Sequence, residues 1–278
     1  MLPWYGGKGK PELSKWLFEN FNLENVNNYV EPFSGMYGIY LSPHTDFSGI
    51  ENLIYNDIDP QNGNVFHCAQ MPIVFLEKIN YAFKEGGMFY CPLCKEYNDY
   101  FKHYKSIYYQ FHKGGRTIPE VSIKERNFEA AFIYSFLRIA AMNQIHYLEA
   151  GTRKDIQDGN WYKRYRFFQP LVNKLTDEKF IDKIMRINEI TADDFELVMN
   201  RYNTSDSFIY CDPPYFSNED NYDGEKKGDF KIDKDHKRLA KVVNESKARV
   251  AVSYYEFDGI YELYPKPKFK YEKKEVYN

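Results

Sequence analysis

Short apolar runs alternate with longer amphipathic ones along this chain. Residues 29–33 read as a short buried strand entering a glycine-containing turn, Ser34-Gly35-Met36-Tyr37-Gly38. Residues 53–56 read as a second strand that ends on the acidic Asp57. The run 207–211 (Ser-Phe-Ile-Tyr-Cys) reads as a third, stopped by Pro213 and Pro214, which cannot continue a ladder. A β-branched run at 249–253 gives a fourth. Helical spacing lies between them, at 192–201 and at 235–245, where Leu239, Val242 and Val243 share one face. Strands alternating with helices predict an α/β fold with a mainly parallel sheet covered on both faces.

The middle breaks that rhythm. Residues 88–117 are rich in Tyr, Lys, His and Gly with weak periodicity, a helix is predicted over 126–143, and a glycine- and charge-containing stretch follows at 151–166. We therefore expect a mostly helical or irregular insertion at 67–170, interrupting an α/β domain made of residues 1–66 and 171–278. No internal repeat or low-complexity linker is visible.

Charge sharpens this division. The chain carries a net −3, but residues 88–170 hold 13 Lys/Arg against 8 Asp/Glu, a net +5 that leaves −8 elsewhere. A basic segment within an acidic protein suits a phosphate-contacting surface, and equally a solvated charged face. Tyr and Phe, 26 and 22 residues, bring the aromatic share to 18%, so some rings are expected at the surface. Four cysteines are too few for a disulfide framework. No apolar run approaches a membrane span, and Met1-Leu2-Pro3-Trp4 lacks a signal peptide's core, so a cytoplasmic protein without membrane contact is expected.

The sharpest chemistry lies in Asp212-Pro213-Pro214-Tyr215. A strand end followed by two prolines makes a rigid loop at the carboxyl edge of a sheet, where α/β proteins bind ligands. It offers one carboxylate, one carbonyl pinned by proline geometry and one aromatic face. An adenine amine has two N–H donors and a lone pair delocalised into the ring. Asp212 and the Pro213 carbonyl can accept one N–H each and favour the pyramidal nitrogen that attacks a methyl group. Tyr215 can stack on a base rotated out of the duplex. Two weaker signals accompany it. The turn after Glu31-Pro32-Phe33 lets backbone approach a ligand closely. Asp57 stands about 20 residues beyond that turn, a spacing that suits ribose hydroxyls. Capping of the following helix is the alternative reading of Asp57.

In this order the pieces resemble the Dam-like family of adenine-specific DNA methyltransferases. Pro3-Trp4-Tyr5-Gly6-Gly7-Lys8 resembles its aromatic-Gly-Gly-Lys element, Glu31-Pro32-Phe33-Ser34-Gly35 its Phe-x-Gly cofactor loop, and Asn56-Asp57-Ile58 its ribose-binding acidic element. Thr191-Ala192-Asp193-Asp194-Phe195 resembles the element before the catalytic loop, and Asp212-Pro213-Pro214-Tyr215 the loop itself. Residues 230–240 and Val252-Ser253-Tyr254-Tyr255 resemble the closing segments. The resemblance implies a Rossmann-like, S-adenosylmethionine-dependent methyltransferase domain interrupted by a target-recognition domain. It implies in-line methyl transfer with no covalent enzyme–base intermediate. Asp212, Pro213, Pro214 and Tyr215 would be catalytic, with Asp194 and the Phe195 backbone reading the cofactor's adenine. Trp4, Tyr5, Gly6, Lys8, Glu31, Pro32, Phe33, Ser34, Gly35, Asp57, Ile58 and Asp212 would complete the cofactor site. The partner implied is duplex DNA, with no obligate protein partner and no metal.

Three departures stand out. The family pattern Phe-x-Gly-x-Gly has Tyr37 at its second glycine, with Gly38 following. Its Phe-Asn-Gly-type run is reduced to Ala141-Met142-Asn143-Gln144. The chain ends at Asn278, where a last strand is expected to be short or supplied by a partner. The rival readings are a catalytically silent DNA-binding protein that lost its cofactor through Tyr37, methylation of the cytosine exocyclic amine, where Ser more often replaces Asp212, and action on RNA or protein.

Cys91-Pro92-Leu93-Cys94, with no second pair at zinc-ribbon spacing, reads as two thiols in a loop rather than a metal site. For a DNA methyltransferase, cations interleaved with aromatics mark the DNA surface: Lys102, Lys105, Lys113 and Arg116, then Asn143, Arg153, Lys163, Arg164 and Arg166. Lys163→Ala and Arg164→Ala are expected to weaken binding to all duplex sequences. In a salt titration each should reduce the slope of log K against log salt by about 0.9 per lost phosphate contact. An unchanged slope would place the DNA surface elsewhere.

Overall fold

The computed structural model describes residues 11–93, 97–112, 115–140, 169–215, 232–257 and 259–275. In chain order these form α1 (Pro11–Glu19), β1 (Asn28–Glu31), β2 (Asn52–Asn56), α2 (Pro60–Ala69), α3 (Pro72–Ala82), α4 (Tyr97–His112) and α5 (Phe128–Ala140). Then follow α6 (Gln169–Leu175), α7 (Glu178–Met185), β3 (Ile187–Thr191), α8 (Phe195–Arg201), β4 (Ser207–Cys211), α9 (Ile232–Glu245), β5 (Arg249–Val252) and α10 (Ile260–Leu263). The five strands form one parallel sheet in the order β3-β2-β1-β4-β5.

Period-2 alternation sorts the strand side chains between two cores. Tyr29, Leu53, Tyr55, Phe208 and Tyr210 face a large cluster with α1–α7, while Val30, Ile54, Ile209 and Cys211 face a smaller one with α8 and α9. With both faces covered, β4 is buried at every position, as parallel strands usually are. The described residues between 67 and 140 share the larger cluster with the sheet: Phe75, Ile79, Tyr104, Phe132 and Phe136 pack in the same core as Tyr29 and Phe66.

Several expectations need adjustment. The first strand stops at Glu31 rather than residue 33, because Pro32 has no N–H for the ladder. The helix read from 192 begins at Phe195, capped by Asp194, whose side chain accepts from the Glu196 N–H. The stretch read as weakly periodic holds a 16-residue helix, α4. Tyr104, Ile107, Tyr108 and Phe111 are its buried stripe, at helical spacing once tyrosine is counted as apolar. Some rings do sit at the surface, Tyr81, Tyr255 and Tyr261 among them, while eight tyrosines head the fully buried side chains. Cys91 is disulfide-bonded rather than a thiol. A bonded sulfur has no thiolate for a metal.

The link from β1 to β2 is a series of turns, and two cations from α7 and its end satisfy its carbonyls. Lys183 Nζ donates to the Tyr40, Ser42 and Thr45 carbonyls, and Arg186 to those of Phe47 and Ile50. Within this link Tyr37, not Gly38, takes the left-handed conformation, at φ 51°. A side chain there costs roughly 1–2 kcal/mol. Its ring is fully buried against Tyr40, Tyr55 and Phe66, and its hydroxyl donates to the Ile54 carbonyl at 3.2 Å. Packing of a large aromatic offsets the strain.

Asn56, fully buried at the end of β2, ties three strand ends together. Its Nδ2 donates to the Pro32 carbonyl at 2.8 Å and the Asp193 carbonyl at 3.0 Å. Its Oδ1 accepts from Thr191 Oγ1 at 2.7 Å and the Asp193 N–H at 2.8 Å. That is the full capacity of a carboxamide. Asn56→Ala would leave several buried groups unpaired, and we expect a loss of about 3 kcal/mol. Urea unfolding should show a lower midpoint at unchanged slope. A loss below about 0.5 kcal/mol, within the range of ordinary surface substitutions, would mean the strand ends hold without this amide.

Candidate active site

The strand order reverses direction between β1 and β4, so the loops after these neighbouring strands lie side by side at the carboxyl edge. Here Pro32, Phe33, Ile58, Asp193, Asp194, Phe195, Pro214, Asp235 and Arg238 line one cleft. A wider cavity of about 640 Å³ between the end of α3 and the start of α5 holds none of the predicted site residues.

After β1, Ser34 Oγ donates to the Glu31 carbonyl at 2.7 Å and closes the turn. Gly35 has φ +48°, and a Cβ there would meet nothing within 4 Å. Its N–H donates to Asp57 Oδ2 at 2.8 Å, while Asp57 Oδ1 accepts the Asp59 N–H at 2.9 Å. The helix-cap reading of Asp57 is overturned: Asp59 caps α2, accepting the Gln61 N–H at 2.9 Å. Burial, reinforced by the Asp59 charge, pushes the Asp57 carboxyl up to about 6. Tyr134 of α5 braces this loop, donating to Asp59 Oδ2 at 2.9 Å.

The loop after β3 supplies Asp194, whose Oδ1 caps α8 at 2.9 Å and whose Oδ2 pairs with Arg238. Arg238 also reaches Glu196 at 3.2 Å and Asp235 at 3.3 Å, and lies 4.3 Å from the centroid of the Phe195 ring. Phe33 and Phe195 stand 5.2 Å apart between ring centroids. Apolar walls with a carboxylate at the rim suit a flat heterocycle bearing an amine.

After β4, Asp212 Oδ1 accepts two hydroxyls, Tyr215 at 2.7 Å and Ser253 at 3.1 Å. Ser253 Oγ is in turn 2.8 Å from the Tyr210 hydroxyl. The Tyr215 ring meets Tyr255 edge-on at 4.6 Å, and Tyr255 is half exposed. On β1, Glu31 is buried and accepts the Tyr29 hydroxyl at 2.6 Å. Burial raises its carboxyl well above the usual range, against the Tyr29 hydrogen bond and with help from Asp212. Burial thus disfavours a negative charge on Glu31 beside Asp212. Cys211 faces the opposite core, and burial raises its thiol far above its ordinary value, so it offers no nucleophile.

The fold thus gathers Glu31, Pro32, Phe33, Ser34, Gly35, Asp57, Ile58, Asp194, Phe195, Asp212, Pro213, Pro214 and Tyr215 at one edge of the sheet. Trp4, Tyr5, Gly6 and Lys8 lie outside the described residues, as do Cys94, Lys113, Asn143, Arg153, Lys163, Arg164 and Arg166. Lys102 is exposed on α4 and Lys105 half-buried, 5.9 Å from the Tyr109 ring. Arg116 is exposed and donates to Gln110 Oε1 at 3.0 Å. None of these three cations lines the cleft. Sequence reasoning missed Asn56 as a tie, Tyr210 and Ser253 beside Asp212, and Arg238 at Asp194. Ser253 closes the run read at 249–253 and stands in the closing-segment resemblance, but without a role; the strand itself ends at Val252. Arg238, on a helix whose apolar face drew the attention, gave no signal.

Among the described residues no three His, Cys, Asp or Glu side chains converge as a metal site would require, and no helix is long and apolar enough to cross a membrane. No curated protein matches the chain. A family model does, that of the D12 class N6 adenine-specific DNA methyltransferases, over residues 4–278. A match of that extent takes in every loop around the cleft. The chain belongs to the D12 class N6 adenine-specific DNA methyltransferase family, enzymes that move a methyl group from S-adenosylmethionine to adenine in DNA.

Proposed function

We propose that Asp212 and the Pro213 carbonyl accept the two N–H groups of a target adenine turned out of the duplex, with Tyr215 stacked on the base. The observation that carries this reading is the Asp212 carboxylate, held by two hydroxyls at the sheet's switch point beside the Gly35 loop. S-adenosylmethionine supplies a methyl group on a positively charged sulfur. The protein's part is to turn the amine lone pair toward that methyl, an interaction that strengthens as the nitrogen becomes pyramidal. Stacking on Tyr215 contributes about 1–3 kcal/mol, comparable with the cost of unstacking the base.

The donor set fits the cofactor. Asp57 can accept ribose hydroxyls, Phe33, Ile58 and Phe195 can enclose the adenine, and Asp194 with the Phe195 backbone can read its edge. Glu31, Pro32, Ser34 and the open backbone at Gly35 suit the methionine portion. Trp4, Tyr5, Gly6 and Lys8 complete this assignment. Tyr37 is no obstacle, because its ring is turned into the core. We assign residues 67–170 to target recognition within a catalytic domain of 1–66 and 171–278. Support comes from the net +5 of residues 88–170 and from α4, which buries its aromatic stripe and leaves Lys102 in solvent. We assign contact with duplex DNA to Lys105, Lys113, Arg116, Asn143, Arg153, Lys163, Arg164 and Arg166 as well.

Asp212→Ala is expected to lower methyl transfer to duplex DNA at least about a hundredfold while cofactor and DNA affinities hold, because its bonds strengthen in the transition state. Labelled methyl counted in N6-methyldeoxyadenosine reads the outcome, and near-normal turnover would defeat the assignment. A second expectation concerns pH. The raised Asp57 carboxyl is ionised above about 6 and protonated below it. Ribose hydroxyls donate to the ionised form, so cofactor affinity should fall about tenfold per unit below that pH. Calorimetric titration should show this dependence in the native protein and its absence in Asp57→Asn. A flat native profile would remove Asp57 from the cofactor site.

A further inference from the structure

The ladder between β4 and β5 carries Ser253 to the side of Asp212. Cys211 pairs with Val252, and the next residue continues the pattern, with the Ser253 N–H donating to the Cys211 carbonyl at 3.0 Å. Asp212 itself lies one residue beyond β4, where the ladder no longer holds it and Pro213 follows. A carboxylate turns broadly about its last torsion, so something else must set its plane.

Hydroxyl geometry supplies that constraint. Ser253 has a single proton, and it is directed to Asp212 Oδ1 at 3.1 Å. The 2.8 Å contact between Ser253 Oγ and the Tyr210 hydroxyl must then be donated by tyrosine. Tyr210 is 1% exposed, with the Phe21 ring 5.3 Å away, so its hydroxyl is fixed by the core. Each donated proton polarises the next hydroxyl along such a chain.

We propose that Tyr210 and Ser253 are positioning residues that hold the Asp212 carboxylate in the plane needed to accept the target amine. This rests on the reading of Asp212 given above. Ser253 and Tyr215 both donate to Oδ1. The core-anchored pair sets the carboxylate plane from beneath, and Tyr215 contributes from the substrate side. Misalignment by a fraction of an ångström would weaken the bond that forms as the nitrogen becomes pyramidal.

Steady-state kinetics on the full chain test this, with Ser253→Ala, Ser253→Thr, Tyr210→Phe, the Ser253→Ala/Tyr210→Phe double variant and Asp212→Ala in parallel. Ser253→Ala should lower kcat about ten- to a hundredfold, the effect of one hydrogen bond to a charged group. KM for cofactor and for DNA should stay within about twofold, as expected for an interaction used only in the transition state. Ser253→Thr, which keeps the hydroxyl, should recover most of the loss. Tyr210→Phe should lower kcat about two- to tenfold alone and add nothing in the Ser253→Ala background. Tyr210→Phe removes one oxygen only, so it serves if Ser253→Ala folds poorly. An unchanged kcat in Ser253→Ala, or additive losses in the double variant, would overturn the proposal. If Asp212→Ala is inactive while Ser253→Ala is fully active, only the positioning role fails. Turnover by Asp212→Ala would instead remove the reading beneath it.

Discussion

The Asn56 amide spends both donors and both acceptor lone pairs on the ends of β1, β2 and β3. The cleft depends on that tie. Phe33, Ile58, Asp194 and Phe195 stand on the three loops so joined, and one planar, fully bonded group helps set their separations together with contacts between the loops themselves. A carboxamide suits this place because it can donate to carbonyls and accept from an N–H and a hydroxyl without charge. A carboxylate could only accept, and it would carry a desolvation cost.

Tyrosines extend the same principle from the core to the loops. Their rings fill the large cluster, and their hydroxyls reach particular polar groups at its upper edge. Tyr55 donates to the Gly35 carbonyl at 2.8 Å, Tyr134 to Asp59, and Tyr29 to Glu31. A buried tyrosine hydroxyl needs a partner, and here the partners are the loops that form the cleft. An aromatic-rich interior therefore positions backbone that phenylalanine or leucine could not hold.

The acidic residues around the cleft differ in environment more than in kind. Glu31 is buried on β1, and burial raises its carboxyl well above the usual range. Asp57 is raised to about 6 and lies between two backbone donors. Asp194 is paired with Arg238, and Asp212 is held by hydroxyls. Different surroundings keep these carboxyls from acting as one cluster, because like charges at close range raise one another's pKa.

Local signals carried much of the fold. The runs at 53–56, 207–211 and 249–252 are strands because β-branched and aromatic residues cluster there, and Pro213 ends the third because it cannot donate to a ladder. The order of motifs along the chain identified the family, since each motif is short and contiguous. β3 escaped notice because an edge strand has one solvent-facing flank, and Ile187–Thr191 carries only two buried residues. α4 escaped because its stripe is mostly tyrosine, whose polar tip hides an apolar body. The Asn56 tie, the Arg238–Asp194 pairing and the Tyr210–Ser253 approach to Asp212 join residues from 24 to 137 positions apart. Sequence fixes which groups exist and which backbone they sit on. Only the strand order decides which of them meet, because hydrogen bonds act over about 3 Å and are blind to distance along the chain.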